Sequence, residues 1–216
     1  MSTAEIAKEI RKKIFQIAYA SGGGHMGGAF SMADLVSVLY FGDVLKYDAK
    51  RPDWKERDRF ILSKGHACYA LYAALAMAGY FPEEELWRVG KPGSKFGGHP
   101  KIHDIPGVEA STGALGHGVL FAGGIAMANK MDDHPGQVYV VMGDGECEEG
   151  SVWEGLMSAA YHRLDNLVLI IDHNKFQAMD TLESIMGFTD LPGKLQAMGF
   201  SVADIDGHDH RAIKTA

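Results

Sequence analysis

Two cysteines, Cys68 and Cys147, are too few to build a disulfide framework. Each sits beside a motif residue, His66 or Glu146, so a reactive thiol is the alternative to a pair of buried, reduced ones. Basic residues are also in short supply, 21 Lys and Arg against 28 Asp and Glu, for a net charge of −7. That leaves no basic stripe to follow a phosphate backbone or an anionic bilayer, which excludes nucleic acid and membrane surfaces as general partners. Sugar phosphates are not excluded, because local histidines and helix ends decide their binding. No apolar stretch approaches the ~18 residues of a membrane span, and no N-terminal apolar run resembles a secretory signal. A cytoplasmic protein is expected. Repeats and low-complexity tracts are absent as well.

What is there is a chain of 216 residues, 46% hydrophobic and 23% charged, enough for one domain with a sizeable core. Segment 4–20 sets Ile6, Ile10, Ile14 and Ile17 at spacings of three and four, which predicts an amphipathic helix. Five glycines in 21–28 break it, and Ser31 is placed to cap a second helix through Met32, Leu35, Val38 and Leu39. The polar stretch 48–58 reads as a surface loop, Phe60-Ile61-Leu62 as a strand, and 66–79 as a helix buried on several sides. Residues 92–112 hold four glycines and three prolines without periodicity. An irregular segment of that length signals function or disorder, and the motifs around His99 and Thr112 favour function. A small-residue helix follows over 116–130. Beyond residue 174 come a loop over 176–188, a short helix over 191–198 and a strand over 200–205. Alternating strands and helices predict an α/β fold, a doubly wound parallel sheet with helices on both faces.

The most informative stretch is Gly143-Asp144-Gly145-Glu146, answered thirty residues after Asp144 by Asn174. Apolar runs precede both: Val138-Tyr139-Val140-Val141-Met142 and Leu167-Val168-Leu169-Ile170-Ile171, with a helix over 149–163 between them. This strand–helix–strand unit puts an oxygen ligand at the carboxyl end of two strands, the edge where parallel sheets bind ligands. An Asp carboxylate and an Asn carbonyl are hard donors, suited to Mg2+ held against a diphosphate. Gly143 and Gly145 let backbone approach the phosphate, and the next helix offers its N-terminal amides. A Gly-Asp-Gly on its own is only a tight turn; the two strands, the helix and the second ligand carry the reading.

With these parts in place the pattern resembles the thiamine-diphosphate signature, and Gly-Asp-Gly-Glu-Cys-Glu-Glu-Gly at 143–150 resembles its transketolase form. Four further segments are similar to that family in the right order. They are Ser21-Gly22-Gly23-Gly24-His25-Met26-Gly27-Gly28 leading into Ser31-Met32-Ala33-Asp34, then Asp58-Arg59-Phe60-Ile61-Leu62-Ser63-Lys64-Gly65-His66. Gly97-Gly98-His99-Pro100 and Val108-Glu109-Ala110-Ser111-Thr112-Gly113-Ala114-Leu115-Gly116 complete the set.

The resemblance implies roles. His25 and His99 would bind the sugar's oxygens and help shuttle protons, work suited to a group that titrates near neutrality. His66 would contact cofactor and belong to the same catalytic set, and Gly113, Ala114 and Leu115 would lie along the cofactor. Gly145, Glu146 and Asn174 are implied as further cofactor contacts. Asp144, Asn174 and the backbone carbonyl of Phe176 are implied as magnesium ligands, the last with no side-chain signature of its own. An ordinary core, capping or surface histidine is the alternative at each imidazole. Glu149 matches a family glutamate at the dimer interface, although an acidic first turn that favours the helix dipole explains it equally. His117 stands where single-chain transketolases carry Gln, a departure that leans toward the split subgroup.

The family's chemistry also needs a glutamate from a pyrimidine-binding domain, and all 216 residues are taken up by the diphosphate-binding one. The expectation is therefore a single diphosphate-binding domain over 1–216, cut short just after Asp206-Gly207-His208-Asp209. It would be the thiamine-diphosphate- and Mg2+-binding half of a two-subunit transketolase, moving a two-carbon ketol unit from a ketose phosphate to an aldose. Its partner would be a separately encoded C-terminal subunit, joined in a heterotetramer. A 1-deoxyxylulose-phosphate-synthase-like or other thiamine-diphosphate enzyme component and a non-catalytic, decayed interaction module are the alternatives.

Overall fold

The computed structural model describes residues 1–178, 180–187 and 190–216. Among them, three parallel strands form a sheet in the order β1 (Arg59–Leu62), β2 (Val138–Gly143), β3 (Leu167–Asp172). Register pairs Leu62 with Val141 and Gly143 with Asp172. Ser63-Lys64, Asp144 and Asp172 thus gather at one carboxyl edge.

Strand periodicity divides the core in two. Phe60, Leu62 and Val141 face one cluster with α1 (Thr3–Ser21), α3 (Ala33–Phe41) and α4 (Cys68–Met77). Ile61, Val138, Val140 and Met142 point the other way, toward α5 (Gly118–Met131) and α6 (Gly150–Tyr161). Side chains alternate along a strand, so successive residues serve opposite faces. The central β2 is buried on both sides, while β3 is only half-buried. Helices on both faces of a parallel sheet are the arrangement the sequence predicts.

The predicted first helix is α1. Ser2 and Glu5 close a capping box at its start, and Gly22 in the left-handed region ends it. Its four isoleucines are at most 7% exposed, a burial worth roughly 1.5–3 kcal/mol each. The C-terminal α9 (His210–Thr215) docks on α3 through Asp34, which binds Arg11, His208 and His210. Burial acts to raise the Asp34 carboxyl, but those three partners outweigh it and hold the group well below the usual carboxylate range.

Several expectations are corrected. Residues 200–205 join no strand: Phe200 and Val202 pack against the second cluster, but no backbone ladder forms. An alternating apolar pattern selects a face and does not supply a hydrogen-bonding neighbour. The glycine-rich 21–28 segment is not wholly loop, since α2 (Met26–Ser31) begins inside it; burial of Ala29 overrides the poor helix propensity of Gly27 and Gly28. Ser31 does not cap α3, whose N-cap position is Met32. The predicted loop 176–188 contains Met179 and Phe188, which lie outside the described residues. Within it, Thr181 caps the single turn α7 (Leu182–Ile185), and α8 (Leu191–Ala197) follows where a helix is predicted. None of the described helices is long and apolar enough to cross a membrane.

Candidate active site

Three histidines from three separate segments converge at the sheet's carboxyl edge. A 3-10 turn over Gly65–Ala67 carries His66 out of β1. His25 occupies the N-cap position of α2 with no side-chain cap bond, and the two rings lie 5.6 Å apart, edge to face. His99 reaches the same place from the irregular segment: a Cβ on Gly65 would lie 3.2 Å from its Cδ2, and one on Gly113 3.6 Å away. An open cleft of about 320 Å3 runs past His99, Ser111, Thr112, Gly113, Ala114 and His117. Leu115 stands next in chain, 37% exposed. Beside the cleft, Thr112 Oγ1 is buried with no hydrogen-bond partner among the described residues, an orphan that a polar ligand would satisfy.

Burial pushes the His66 imidazole down to about 4, helped by the Lys64 cation and then by His25 and His99. Burial and His25 lower His99 too. At neutral pH both rings are then neutral, with one nitrogen to donate and one to accept. The unfolded chain protonates this side chain below about 6.5 and the folded chain only below about 4. His66 therefore contributes stability that is complete above about pH 6.5 and is lost as pH falls toward the folded value. NMR titration of the His66 ring nitrogens should reveal no midpoint above about pH 5.5; a midpoint near the solvent value of about 6.5 would mean the ring is hydrated.

Behind the histidines lies a buried polar clamp. Lys64 is 0% exposed; its ammonium is paired with Asp172 and donates to the Gly28 carbonyl at 3.1 Å. Ser31 donates to the other Asp172 oxygen at 2.6 Å. The clamp ties α2, and hence His25, to the ends of β1 and β3. A Cβ on Gly28 would come within 3.2 Å of His66 Nε2 and 3.3 Å of Lys64 Nζ, which shows how closely the helix approaches. Sequence reasoning missed this network. Its one signal was a lysine directly after Phe60-Ile61-Leu62-Ser63, where a strand end is expected to be apolar.

Asp144 is 1% exposed. Its Oδ1 accepts the Gly145 amide at 2.9 Å, and its Oδ2 accepts the Lys175 amide at 2.7 Å. His173 Nε2 stands 4.0 Å from Oδ2. No lysine or arginine pairs with this carboxylate among the described residues. A buried carboxylate that accepts two amides, with lone pairs to spare, fits a hard cation. Asn174 precedes Lys175 in the chain, two residues beyond the end of β3. The Asn174 side-chain oxygen accepts the Phe176 amide at 2.9 Å in an Asx turn, and Phe176 is 66% exposed. Gln177 lies over Gly145, where a Cβ would sit 2.7 Å from its Cγ.

Glu146 points elsewhere. It is 2% exposed and accepts the Gly116 amide at 2.8 Å, the Gly143 amide at 3.1 Å and the Ser63 hydroxyl. Both cysteines are buried thiols, pushed up to about 12 chiefly by burial, and so are inert as nucleophiles.

The sequence model of the family described as transketolase, thiamine diphosphate binding domain, matches residues 2–216. The chain belongs to the transketolase family. It is 41% identical to 6-deoxy-6-sulfo-D-fructose transketolase subunit SqwG of Clostridium sp. (strain MSTE9), over 97% of this chain and 76% of that protein. It is 40% identical to an apulose-4-phosphate transketolase subunit of Phocaeicola vulgatus, over 99% of this chain and 75% of that one. The solved transketolase from Leishmania mexicana superposes with a TM-score of 0.94 at 33% identity, over 100% of this chain. The chain spans only 34% of that transketolase's length. Its α/β fold is thus that of the transketolase cofactor-binding domain, and its subunit-type relatives fit an N-terminal transketolase subunit.

Proposed function

We propose that residues 1–216 act as one diphosphate-binding domain of a two-subunit transketolase, active only with a separately encoded partner that carries the pyrimidine-binding domain. The observation that carries this reading is the convergence of His25, His66 and His99 on the sheet edge that also holds Asp144 and Asn174. Thiamine diphosphate, when bound, supplies the electron sink for carbanion chemistry. Asp144, Asn174 and the Phe176 carbonyl would hold Mg2+ against its diphosphate. Gly113, Ala114, Leu115, Gly145 and His66 would border the cofactor. His25 and His99 would orient the sugar's hydroxyls and move protons at their ring nitrogens. The reaction is transfer of a two-carbon ketol unit from a ketose phosphate or similarly anionic ketose to an aldose. Relatives named for a sulfosugar and a sugar phosphate support an anionic tail on the donor.

Leu120 and Phe121 on α5 and Met157 and Tyr161 on α6 are exposed, as a covered apolar face would require. With a two-fold axis, the assembly would be a heterotetramer of two copies of each chain. Light scattering on the co-purified pair should report about twice the heterodimer mass, whereas a stable monomer that captures no partner counts against it. Ketol transfer should appear only on mixing the two chains; turnover by this chain alone would sink the split-enzyme reading. Asp144→Ala should weaken cofactor binding in the mixed pair at least ~10-fold, about 1.4 kcal/mol or more, because it removes the one charged ligand. Calorimetric titration with thiamine diphosphate and Mg2+ measures this, and unchanged affinity removes Asp144 from the site. No binding by the unmutated pair at millimolar cofactor would favour a decayed, non-catalytic module.

A further inference from the structure

We infer that Glu146 is a positioning residue whose carboxylate ties the loop 112–118 to the ends of β1 and β2, and so sets the surface on which the cofactor lies. The cofactor part of this inference rests on the function proposed above; the tie itself does not.

Glu146 sits in the motif that would make it a cofactor contact, yet its oxygens are committed inward. Three donors from three separate segments meet there: the Gly143 amide at the end of β2, the Ser63 hydroxyl after β1, and the Gly116 amide in the loop before α5. Ser63, having given its proton to Glu146, accepts the amide of Gly118, the first residue of α5, at 3.1 Å. Two amides of one loop therefore end on the Ser63–Glu146 pair. A buried carboxylate without a cation is costly unless donors fill its lone pairs; here amides and a hydroxyl do so through charge-assisted bonds.

The backbone of the loop is shaped to this anchor. Gly116 has φ +79°, and a Cβ there would meet Ser151 Oγ at 2.4 Å and Glu149 Cβ at 2.7 Å. A Cβ on Gly118 would fall 2.6 Å from the Cα of Ser63. Neither position admits a side chain, and both amides face the anchor. Gly113, Ala114 and Leu115 precede this fixed point directly, so their place along the cleft follows from it. Glu146 itself does not line the cleft. Its effect on cofactor is transmitted through Gly116.

The test has two arms. Amide exchange of Gly116 and Gly118 is followed by NMR on the full chain without cofactor. Thiamine diphosphate with Mg2+ is then titrated calorimetrically onto the chain mixed with its partner. Glu146→Ala should speed exchange at both amides at least ~10-fold and raise the cofactor Kd by at least ~10-fold. Glu146→Gln keeps one oxygen for Gly116 but turns an NH2 toward the Gly143 amide. Gly116 protection should survive in that variant while that of Gly143 falls. Ser63→Ala should release Gly118 most. These two variants decide the matter if Glu146→Ala does not fold. Weakened cofactor binding with unchanged exchange at Gly116 and Gly118 would make Glu146 a direct ligand and overturn the inference. Unchanged exchange together with unchanged affinity would overturn it as well. Failure of the unmutated pair to bind cofactor would instead defeat the proposed function, and the exchange arm would still decide whether Glu146 anchors the loop.

Discussion

Lys64→Met should destabilise the chain by about 3–5 kcal/mol, the range for removing one partner of a buried ion pair. Lys64 is fully buried, and the Asp172 side chain is 12% exposed. The variant leaves the Asp172 carboxylate with only the Ser31 hydroxyl as side-chain donor among the described residues, and it removes the Lys64 donor from the Gly28 carbonyl. Water reaching the exposed part of Asp172 places the loss toward the low end of that range. Methionine matches the volume of the lysine stem, so cavity formation is a minor part of the cost. The double variant Lys64→Met/Asp172→Leu should recover most of the loss, since an apolar pair of similar volume avoids the desolvated charge. Urea unfolding followed by circular dichroism measures both. A loss under about 1 kcal/mol in the single variant would put the pair in the class of solvated surface bridges. The same cycle reports on the site, because the clamp holds α2 and with it the His25 ring opposite His66.

His25→Ala should lower kcat/KM for ketol transfer at least ~100-fold, the lower range for loss of a proton-transferring or orienting group, while leaving the cofactor Kd unchanged. The ring is exposed, caps no helix amide and stands 5.6 Å from His66, so its removal should change stability by no more than about 0.5 kcal/mol. That separation of effects is the point of the experiment. Steady-state kinetics and cofactor titration on the mixed pair, with a melting curve on each variant, read the three quantities independently. Unchanged kcat/KM would remove His25 from the reacting centre. An equal loss in cofactor affinity would reassign it to the cofactor.

Local pattern was enough to establish the periodic parts and their order. The spacing of Ile6, Ile10, Ile14 and Ile17 specified a helix and its buried face. The apolar runs before Asp144 and Asn174 specified two parallel strands with their ends on one edge, and the ordered motifs brought His25, His66 and His99 forward as a set. The period of a helix or strand, and the turn that ends it, are written in neighbouring residues. Which polar groups meet was settled only by packing. Lys64 finds Asp172, Ser31 finds Asp172, and Glu146 finds Ser63 and Gly116 across chain separations that no local pattern encodes. Ser31 read as a helix cap because capping is the local use of a serine hydroxyl, and Glu146 read as a cofactor contact because the resemblance of its motif implies one. Burial supplied partners that neither reading names: a polar atom removed from water must bond to whatever the strand order brings beside it. Residues 200–205 failed as a strand for a related reason: alternation selects a buried face, and only packing determines whether the backbone comes into register with a neighbour such as the outer edge of β3.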